Sequence, residues 1–142
     1  MCAMMHMTNE ATSLEQPDDC DVPAIHPRQV MAARVRLAGG PAAEDVARLF
    51  AILGDPTRVR LLAALGTSEL CVCDLAAATG VNRSTVSHQL RILREYRIVR
   101  RRRDGKVIYY ALDDGHVASL LAMGTEHVAE AIGEDQSKEQ PA

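Results

Sequence analysis

The stretch ELCVCDLAAATGVNRSTVSHQLRILREYRIVRRRRDGKVIYYAL, residues 69–112, decides the fold. Its first part predicts a short helix that ends at Gly80, and a longer helix then opens at Asn82 or Arg83 and runs through Tyr96. The inward face of this second helix carries Val86, Leu90 and Leu93. Two helices joined through a glycine turn, the second polar and basic on its outer side, are typical of a helix-turn-helix.

Two strand-like runs come directly after these helices. IVRRRR covers residues 98–103 and KVIYYAL covers residues 106–112, with Asp104 and Gly105 between them. Asp-Gly between such runs predicts a two-residue hairpin. A helix-turn-helix followed by a basic hairpin makes a winged helix. We therefore predict a mainly α fold with a small β-hairpin, arranged as a winged helix-turn-helix.

The charge of the chain is distributed unevenly. The formal net charge is −3, yet residues 83–106 hold eight arginines and one lysine against Glu95 and Asp104, a local charge of +7. A charge run is usually only a solvated face. On a winged helix, however, a basic stretch of this density indicates that the partner is double-stranded DNA.

The second helix of the helix-turn-helix is the element expected in the major groove. The residues expected near base edges lie in its N-terminal part and are Ser84, Thr85, Ser87, His88 and Gln89. The arginines expected on phosphates are Arg91, Arg94, Arg101, Arg102 and Arg103. Two alternatives stay open, because Ser84 also suits the N-cap of the helix and His88 also suits a packing position.

The remainder of the 142-residue chain surrounds this segment. We expect a polar N-terminal arm over residues 1–27, a DNA-binding and dimerisation domain over 28–132, and a disordered polar tail over 133–142. Further helices are predicted over 28–37, 42–53 and 56–65. No run approaches the roughly 18 apolar residues of a membrane span, and the start MCAMMHM has no basic leader. We therefore expect a cytoplasmic protein with no membrane partner and no small organic substrate.

Four residues with metal-ligand chemistry lie near the C-terminal end, namely Asp114, His116, His127 and Glu130. If residues 116–131 are helical, the two histidines share a face but lie roughly 16 Å apart along the axis. A metal ion holds its nitrogen ligands at only about 2 Å. One chain therefore offers two half-sites, and a closed site needs the same helix from a second, antiparallel chain. A two-fold homodimer supplies that site twice.

Simpler interpretations exist for each of these residues. A lone histidine on an amphipathic helix is more often an interface or surface residue, and an aspartate before a helix is a common N-cap. His127 and Glu130, three residues apart, are harder to explain in that way. The same helix carries an apolar stripe suited to packing on a partner, formed by Val117, Leu120, Leu121, Val128 and Ala131.

The cysteines suggest a second metal site. Cys71 and Cys73 fall at the start of a predicted helix, where the partial positive charge of the helix end favours the thiolate that a metal requires. Two thiolates leave a tetrahedral site half complete, and Cys20 with His26 on the arm are the natural remaining pair. Substitutes at the terminus are Cys2 and His6. Alternatively, Cys71 is a small hydrophobe of the core, for which Val72 and Leu75 are better candidates.

The ligand types of the two sites differ in hardness. The nitrogen and oxygen ligands near the C-terminus suit zinc or cobalt, whereas the cysteine site suits zinc, cadmium, lead or copper(I). Zinc satisfies both sites. We therefore expect zinc as the metal, with cadmium as the second candidate.

Four segments of this chain resemble the core of the ArsR/SmtB family of metal-sensing repressors. They are DPTRVRLLAAL, ELCVCDLA, STVSHQLRILR and DGKVIYYAL, and the resemblance covers residues 42–131. It implies that Asp114, His116, His127 and Glu130 match the zinc site on the C-terminal helices of the family's dimer. ELCVCDL resembles the family's cysteine site, which in some members is completed by the arm of the other subunit. The arm segment CDVPAIH is similar to that of zinc sensors with both sites.

The resemblance implies negative allostery. The metal-free homodimer is expected to bind an inverted-repeat operator, and binding of zinc, or of cadmium, lead or cobalt, is expected to release it and to derepress genes for metal efflux or sequestration. A thiol-redox repressor of the same fold is the alternative. An enzyme with Cys71 and Cys73 as a redox pair is disfavoured, because their spacing is not CxxC and no catalytic constellation is present. The physiological metal, the regulatory site, the operator sequence and any role of Cys2 and His6 stay open.

Overall fold

The computed structural model describes residues 25–138 and separates into two units, one ending at Ala42 and the other beginning at Ala43. In the described part of the first unit, helix α1 spans Pro27–Ala38 and has His26 at its N-cap. The predicted helix over 28–37 is therefore confirmed. None of the residues of α1 is buried. Nearly all of the predicted arm, and residues 139–142, lie outside the described residues.

The second unit contains the predicted winged helix. Its elements in chain order are α2 (Ala43–Leu53), α3 (Pro56–Leu65), β1 (Leu70–Cys71), α4 (Val72–Thr79), α5 (Arg83–Glu95), β2 (Val99–Asp104), β3 (Val107–Leu112) and α6 (Gly115–Lys138). The three strands form an antiparallel sheet in the order β1-β3-β2. Helices α4 and α5 form the helix-turn-helix, and β2 with β3 forms the wing. Strand β1 was not predicted, because two residues are too few to show an alternating pattern.

An aliphatic core holds α3, α4 and α5 together. Its buried side chains are Leu53, Leu61, Leu62, Leu65, Leu75, Val86, Leu90, Leu93, Ile98, Val99 and Val117. The three inward positions predicted for α5 are all fully buried. Leu75 is likewise fully buried and Val72 packs against this core, as the sequence indicated. No buried polar or charged side chain occurs among the described residues, so apolar burial positions α5 on the rest of the unit.

Side chains cap the N-terminal ends of α3 and α5. Asp55 Oδ2 accepts a hydrogen bond of 3.0 Å from the backbone N–H of Arg58, and Pro56 begins α3, as predicted. Asn82, in extended conformation, accepts a hydrogen bond of 2.8 Å from the N–H of Thr85 and is the N-cap of α5. The interpretation of Ser84 as the N-cap is therefore wrong. Ser84 instead donates its hydroxyl to Asn82 Oδ1 at 2.8 Å, because it already lies inside the first turn.

The wing turns one residue later than predicted. Asp104 pairs with Val107 at the end of the ladder, so the two loop residues are Gly105 and Lys106 rather than Asp104 and Gly105. Gly105 has a φ of +63°, whereas Lys106 is not among the residues with positive φ. A positive φ at the first loop position only is the pattern of a type II′ turn, which favours glycine there. The predicted two-residue hairpin is confirmed with this shift.

Helix α5 ends in a Schellman motif with an arginine in the position that glycine usually occupies. The N–H of Arg97 donates to Arg94 O at 3.0 Å, and the N–H of Ile98 donates to Leu93 O at 2.9 Å. Arg97 has a φ of +56° and is the one non-glycine residue with positive φ among those described. A left-handed conformation is unfavourable for a residue with a Cβ, so the chain carries local strain at the junction between α5 and the wing.

Helix α6 is longer than the sequence indicated. It spans 24 residues, continues past residue 132 and ends at Lys138, because no proline interrupts the chain before Pro141. Val117 is buried and Leu120 and Leu121 are half-buried, but every residue from Ala122 to Asp135 is exposed. The N-terminal third of α6 therefore packs on the core of the second unit, and the following turns do not. No helix in residues 25–138 is both long enough and apolar enough to cross a membrane.

Candidate DNA-binding face and metal-binding residues

Helix α5 presents one continuous exposed face. Its exposed residues follow helical spacing and are Arg83, Ser84, Ser87, His88, Arg91, Arg94 and Glu95. His88 is exposed, so the interpretation of this side chain as a packing residue is not supported. Thr85 and Gln89 are half-buried at the edge of the face. Serine hydroxyls, an imidazole and guanidinium groups on one side of a helix can contact both base edges and phosphates.

Gln89 is already engaged within the chain. Its Oε1 accepts a hydrogen bond of 2.7 Å from Arg58 Nε, and Arg58 Nη1 donates to Ile52 O at 3.0 Å. The carbonyl oxygen of Gln89 therefore faces the protein, and its predicted contact with a base edge is restricted to the amide nitrogen. Arg58 was not predicted as a site residue, because its contact with Gln89 joins residues 31 positions apart.

The arginines of the wing divide between the two faces of the sheet. Successive side chains of a strand point to opposite faces, so Arg101 and Arg103 share one face, while Arg100 and Arg102 share the other. Within the described residues, Arg101 makes no hydrogen bond or ion pair, and Arg103 Nε donates only to Gly105 O at the turn, at 3.2 Å. Arg101 and Arg103 are thus the wing side chains with the most freedom to meet phosphates.

Arg102 has partners inside the chain. Its Nε lies 2.9 Å from Glu69 Oε2, its Nη1 lies 3.8 Å from Asp104 Oδ2, and its guanidinium carbon lies 4.9 Å from the centre of the Tyr109 ring. The hydrogen bond to Glu69 and the charge of that carboxylate raise the pKa of Arg102. A phosphate must therefore compete with Glu69 for this side chain, which weakens the prediction that Arg102 is a phosphate contact.

Three exposed arginines beside the predicted ones belong to the same basic surface. They are Arg83 at the first turn of α5, Arg97 at its end and Arg100 at the start of the wing. The charge count of residues 83–106 included them, but periodicity alone could not show which would be exposed. The positive φ of Arg97 is a second reason to consider it a functional residue, since strain that persists at an exposed residue suggests a functional reason for its side chain.

Asp114 and His116 form a close pair at the start of α6. Asp114 Oδ2 lies 3.2 Å from His116 Nδ1, and Asp114 Oδ1 accepts a hydrogen bond of 2.8 Å from the backbone N–H of His116. The side-chain and backbone hydrogen bonds from His116 lower the pKa of Asp114. Two ligands held at about 2 Å by a tetrahedral ion are about 3.3 Å apart, so this O–N separation fits a shared metal. Asp114 also caps α6, and the two interpretations are compatible.

His127 and Glu130 lie farther along the same helix. Both side chains are exposed, and three residues separate them by about 4.5 Å along the axis. His116 and His127 are both in α6, so their separation of roughly 16 Å along the axis holds. Across residues 25–138 no group of three or more His, Cys, Asp or Glu side chains is placed to hold a metal. One chain thus presents the two half-sites apart.

Cys71 and Cys73 lie at the beginning of α4. Cys71 is the N-cap of that helix and is half-buried, while Cys73 is exposed in the first turn, and neither forms a disulfide. Cys71 is not part of the buried core, so it is not simply a small core hydrophobe. His26 stands at the N-cap position of α1 in the first unit without a side-chain capping hydrogen bond, and Cys20, Cys2 and His6 lie outside the described residues. That Cys71 and Cys73 bind one metal ion together with Cys20 and His26 remains a prediction.

An apolar groove runs along α6. It has a volume of about 520 Å³ and is lined by Val59, Leu120, Leu121, Gly124, Thr125, Val128, Ala129 and Ile132. Val128 and Ile132 are 55% and 53% exposed. The single chain thus leaves part of this apolar lining exposed to solvent.

Comparison with known proteins connects this arrangement to one family. Residues 55–101, from the N-cap of α3 into β2, match the family described as "Bacterial regulatory protein, arsR family". Over 112 residues the chain is 46% identical to a transcriptional repressor SmtB homolog from Synechocystis, covering 79% of this chain and 85% of that protein. The chain belongs to the ArsR family. The resemblance stated from four sequence segments is thereby confirmed.

Other relatives of this ArsR-family chain agree with the assignment. It is 40% identical to a cadmium resistance transcriptional regulatory protein CadC homolog from Staphylococcus aureus, over 80% of this chain and 93% of that protein. The structure superposes with a TM-score of 0.60 on the homodimeric winged helix-turn-helix DNA-binding domain from Mycobacterium bovis, with 26% identity over 80% of this chain and 95% of that one. The winged helix-turn-helix fold is confirmed, and the ArsR-family relatives are transcriptional repressors and not enzymes.

Proposed function

We propose that this ArsR-family chain is a metal-responsive repressor, which binds operator DNA as a metal-free homodimer and releases it on binding zinc. Cadmium, lead and cobalt are the other effectors that its ligand types suit. The observation that carries the proposal is the position of Asp114 with His116 and of His127 with Glu130, roughly 16 Å apart on one helix. Such half-sites hold an ion only if a second chain completes them.

The exposed part of α6 supports the homodimer. When two copies of α6 run antiparallel, the Asp114–His116 pair of each chain meets the His127–Glu130 pair of the other, and two-fold symmetry closes two sites. The exposed apolar side chains Val128 and Ile132 are covered in the same step. The relative from Mycobacterium bovis is itself described as homodimeric.

The surface of α5 and the wing supports DNA as the partner. A dimer carries two recognition helices related by two-fold symmetry, and such helices read inverted half-sites about one helical turn apart. The exposed arginines of α5 and the wing arginines Arg101 and Arg103 supply phosphate contacts on either side of the groove. We therefore propose an inverted-repeat operator, and genes for metal efflux or sequestration as those controlled.

The residues of α6 explain why a metal acts on the dimer and not on one chain. Zinc, when bound, supplies a tetrahedral cross-link between two nitrogen and oxygen ligand pairs. The hydrogen bonds from His116 favour the charged form of the Asp114 carboxylate, which is the form that binds a cation. Because the pairs would belong to different subunits, a metal held by both would fix the distance between the two copies of α6. The spacing of the two recognition helices is expected to change with that distance.

A zinc titration of the purified protein on duplex DNA from the promoter of its own gene tests the proposal. Operator affinity is expected to fall by about 5- to 150-fold, which corresponds to a coupling of about 1–3 kcal/mol. By linkage, operator DNA must weaken zinc binding by the same factor, and calorimetry of the protein with and without DNA measures that factor. Equal operator affinity with and without zinc, in protein shown to bind zinc, contradicts the proposal.

The thiol-redox repressor is the second candidate, and the exposed, unpaired Cys73 favours it. For Cys71→Ser we expect zinc to release operator DNA as it does from the unchanged chain, within about threefold, and cadmium to act less well, since soft ions depend more on thiolate. Peroxide in metal-free buffer is expected to leave operator binding unchanged. The same affinity assay measures both, and release by peroxide that disappears in Cys71→Ser establishes the redox mechanism instead.

Arg97→Gly is expected to raise stability and weaken DNA binding together. Glycine accepts positive φ without the steric penalty of a Cβ, and after its own loss of conformational freedom the net gain in unfolding free energy is up to about 1 kcal/mol. Each dimer loses two phosphate contacts, one per subunit, which lowers the magnitude of the slope of log affinity against log salt concentration by about 2. Urea unfolding and salt-dependent fluorescence anisotropy measure the two effects. An unchanged salt slope removes Arg97 from the DNA-binding surface.

A further inference from the structure

Arg58 joins three elements at the base of the helix-turn-helix. Its backbone N–H donates to Asp55 Oδ2, its Nη1 donates to Ile52 O at the end of α2, and its Nε donates to Gln89 Oε1 on α5 at 2.7 Å. The side chain is half-buried, so solvent competes only partly for these hydrogen bonds. Arg58 therefore determines how the amide of Gln89 is turned.

The orientation of this amide follows from the chemistry of the donor. A guanidinium has N–H donors and no acceptor, so Gln89 must turn its oxygen and not its nitrogen towards Arg58. The amide nitrogen is attached to the same carbon, about 120° away, and is turned from Arg58. Within residues 25–138 it has no hydrogen-bond partner, and no unpartnered side-chain nitrogen or oxygen there is buried. Gln89 thus presents a solvent-accessible donor at the edge of the exposed face of α5.

This arrangement limits what Gln89 can read. A glutamine that recognises adenine uses both amide atoms, because its oxygen accepts from N6 and its nitrogen donates to N7. Here Arg58 occupies one lone pair of the oxygen and turns the oxygen towards α3, so the amide nitrogen is the atom left for the base. Guanine offers two adjacent acceptors, N7 and O6, to the two amide hydrogens of Gln89, whereas adenine offers only N7, thymine offers only O4 and cytosine presents a donor.

We propose that Arg58 is a positioning residue for sequence reading, which makes Gln89 a donor-only contact and so selects guanine, which offers two acceptors, over adenine, which offers one. This inference rests on the proposed function, in which α5 reads operator DNA. It assigns the specificity of one base position to a residue that lies on α3, outside the helix-turn-helix.

Selection from a duplex library with a randomised core tests the inference, and it does not require that the operator sequence be identified first. The full-length protein is expected to enrich a motif with one guanine position per half-site, preferred over adenine by about fivefold, the value of one net hydrogen bond. Gln89→Ala is expected to lose the preference at that position alone. Arg58→Met is expected to bind adenine there at least as well as guanine, because the freed amide can then make both hydrogen bonds to adenine.

The control is Arg60→Met, which removes an exposed arginine of the same helix that has no hydrogen bond or ion pair within the described residues. It is expected to keep the preference of the unchanged protein. Urea unfolding shows whether each variant is folded. If Arg58→Met is not, Arg58→Gln carries the test, since an amide at this position can donate or accept and no longer fixes which amide atom of Gln89 faces it, so the preference is expected to be lost.

The outcomes separate this inference from the proposed function. Should folded Arg58→Met enrich the same base as the unchanged protein to the same degree, Arg58 does not orient the Gln89 amide and the inference is wrong. A loss of affinity that is equal for all four bases assigns Arg58 a structural role only and overturns the inference as well. If the unchanged protein enriches no motif, sequence-specific DNA binding itself fails.

Discussion

Replacing His127 with glutamine is expected to leave operator binding by the metal-free protein unchanged and to abolish its release by zinc. His127 is exposed and lies on α6, away from the basic surface of α5 and the wing, so its loss removes neither a core contact nor a DNA contact. It does remove one nitrogen ligand from each of the two proposed inter-subunit sites. The ratio of operator affinities without and with zinc, expected at about 5 to 150 in the unchanged protein, should fall to about 1.

Fluorescence anisotropy of labelled operator across a zinc titration measures this ratio. Glu126→Gln is the matched control, because it neutralises an exposed side chain adjacent to His127 that is not a proposed ligand, and it should respond to zinc normally. His116→Ala should behave as His127→Gln does, because the two histidines complete the same site from different subunits. Full zinc release from both histidine variants rules out α6 as the regulatory site.

Val128→Asp is expected to convert the protein to a monomer and to weaken operator binding by more than about 100-fold. Val128 is 55% exposed in the single chain, so the substitution should change the stability of the subunit little. In the proposed dimer the same position is covered, and an unpaired buried carboxylate costs about 3–5 kcal/mol. Each dimer would contain two of them, and a single subunit can reach only one half-site of the operator.

Sedimentation equilibrium measures the oligomeric state, and anisotropy measures operator affinity. Ala122→Asp serves as control, since this exposed residue lies on α6 about 120° around the axis from Val128 and introduces the same charge. It should remain dimeric and bind DNA normally. A Val128→Asp protein that is still dimeric at micromolar concentration places the subunit interface elsewhere and removes the basis for the shared metal sites.

The winged helix was predictable because its signals are local. Val86, Leu90 and Leu93 show helical spacing within about two turns of one helix. The aspartate and glycine between the two strand-like runs are adjacent in the sequence. The shift of the turn to Gly105 and Lys106 was not predictable from composition, because either frame places a glycine in the loop. Only the register of β2 on β3 decides between them.

The functional residues show the same division. The pairing of Asp114 with His116 follows from their spacing, but the engagement of Gln89 by Arg58 and of Arg102 by Glu69 joins residues 31 and 33 positions apart. No periodicity reports on contacts of that length. Both contacts alter a prediction, since Gln89 keeps only its donor for DNA and Arg102 has a competing carboxylate. Interactions between subunits are harder still to predict from the sequence, because they depend on a second copy of the chain.

The two-residue strand β1 has a consequence for how the wing meets DNA. Leu70 and Cys71 pair with Tyr110 and Tyr109, so β3 is held on both edges, by β1 on one side and by β2 on the other. A lone two-stranded hairpin is at best marginally stable in water, whereas a third strand and a packed face give it independent order. The wing therefore arrives at the duplex already rigid, and little conformational entropy is lost when its arginines dock.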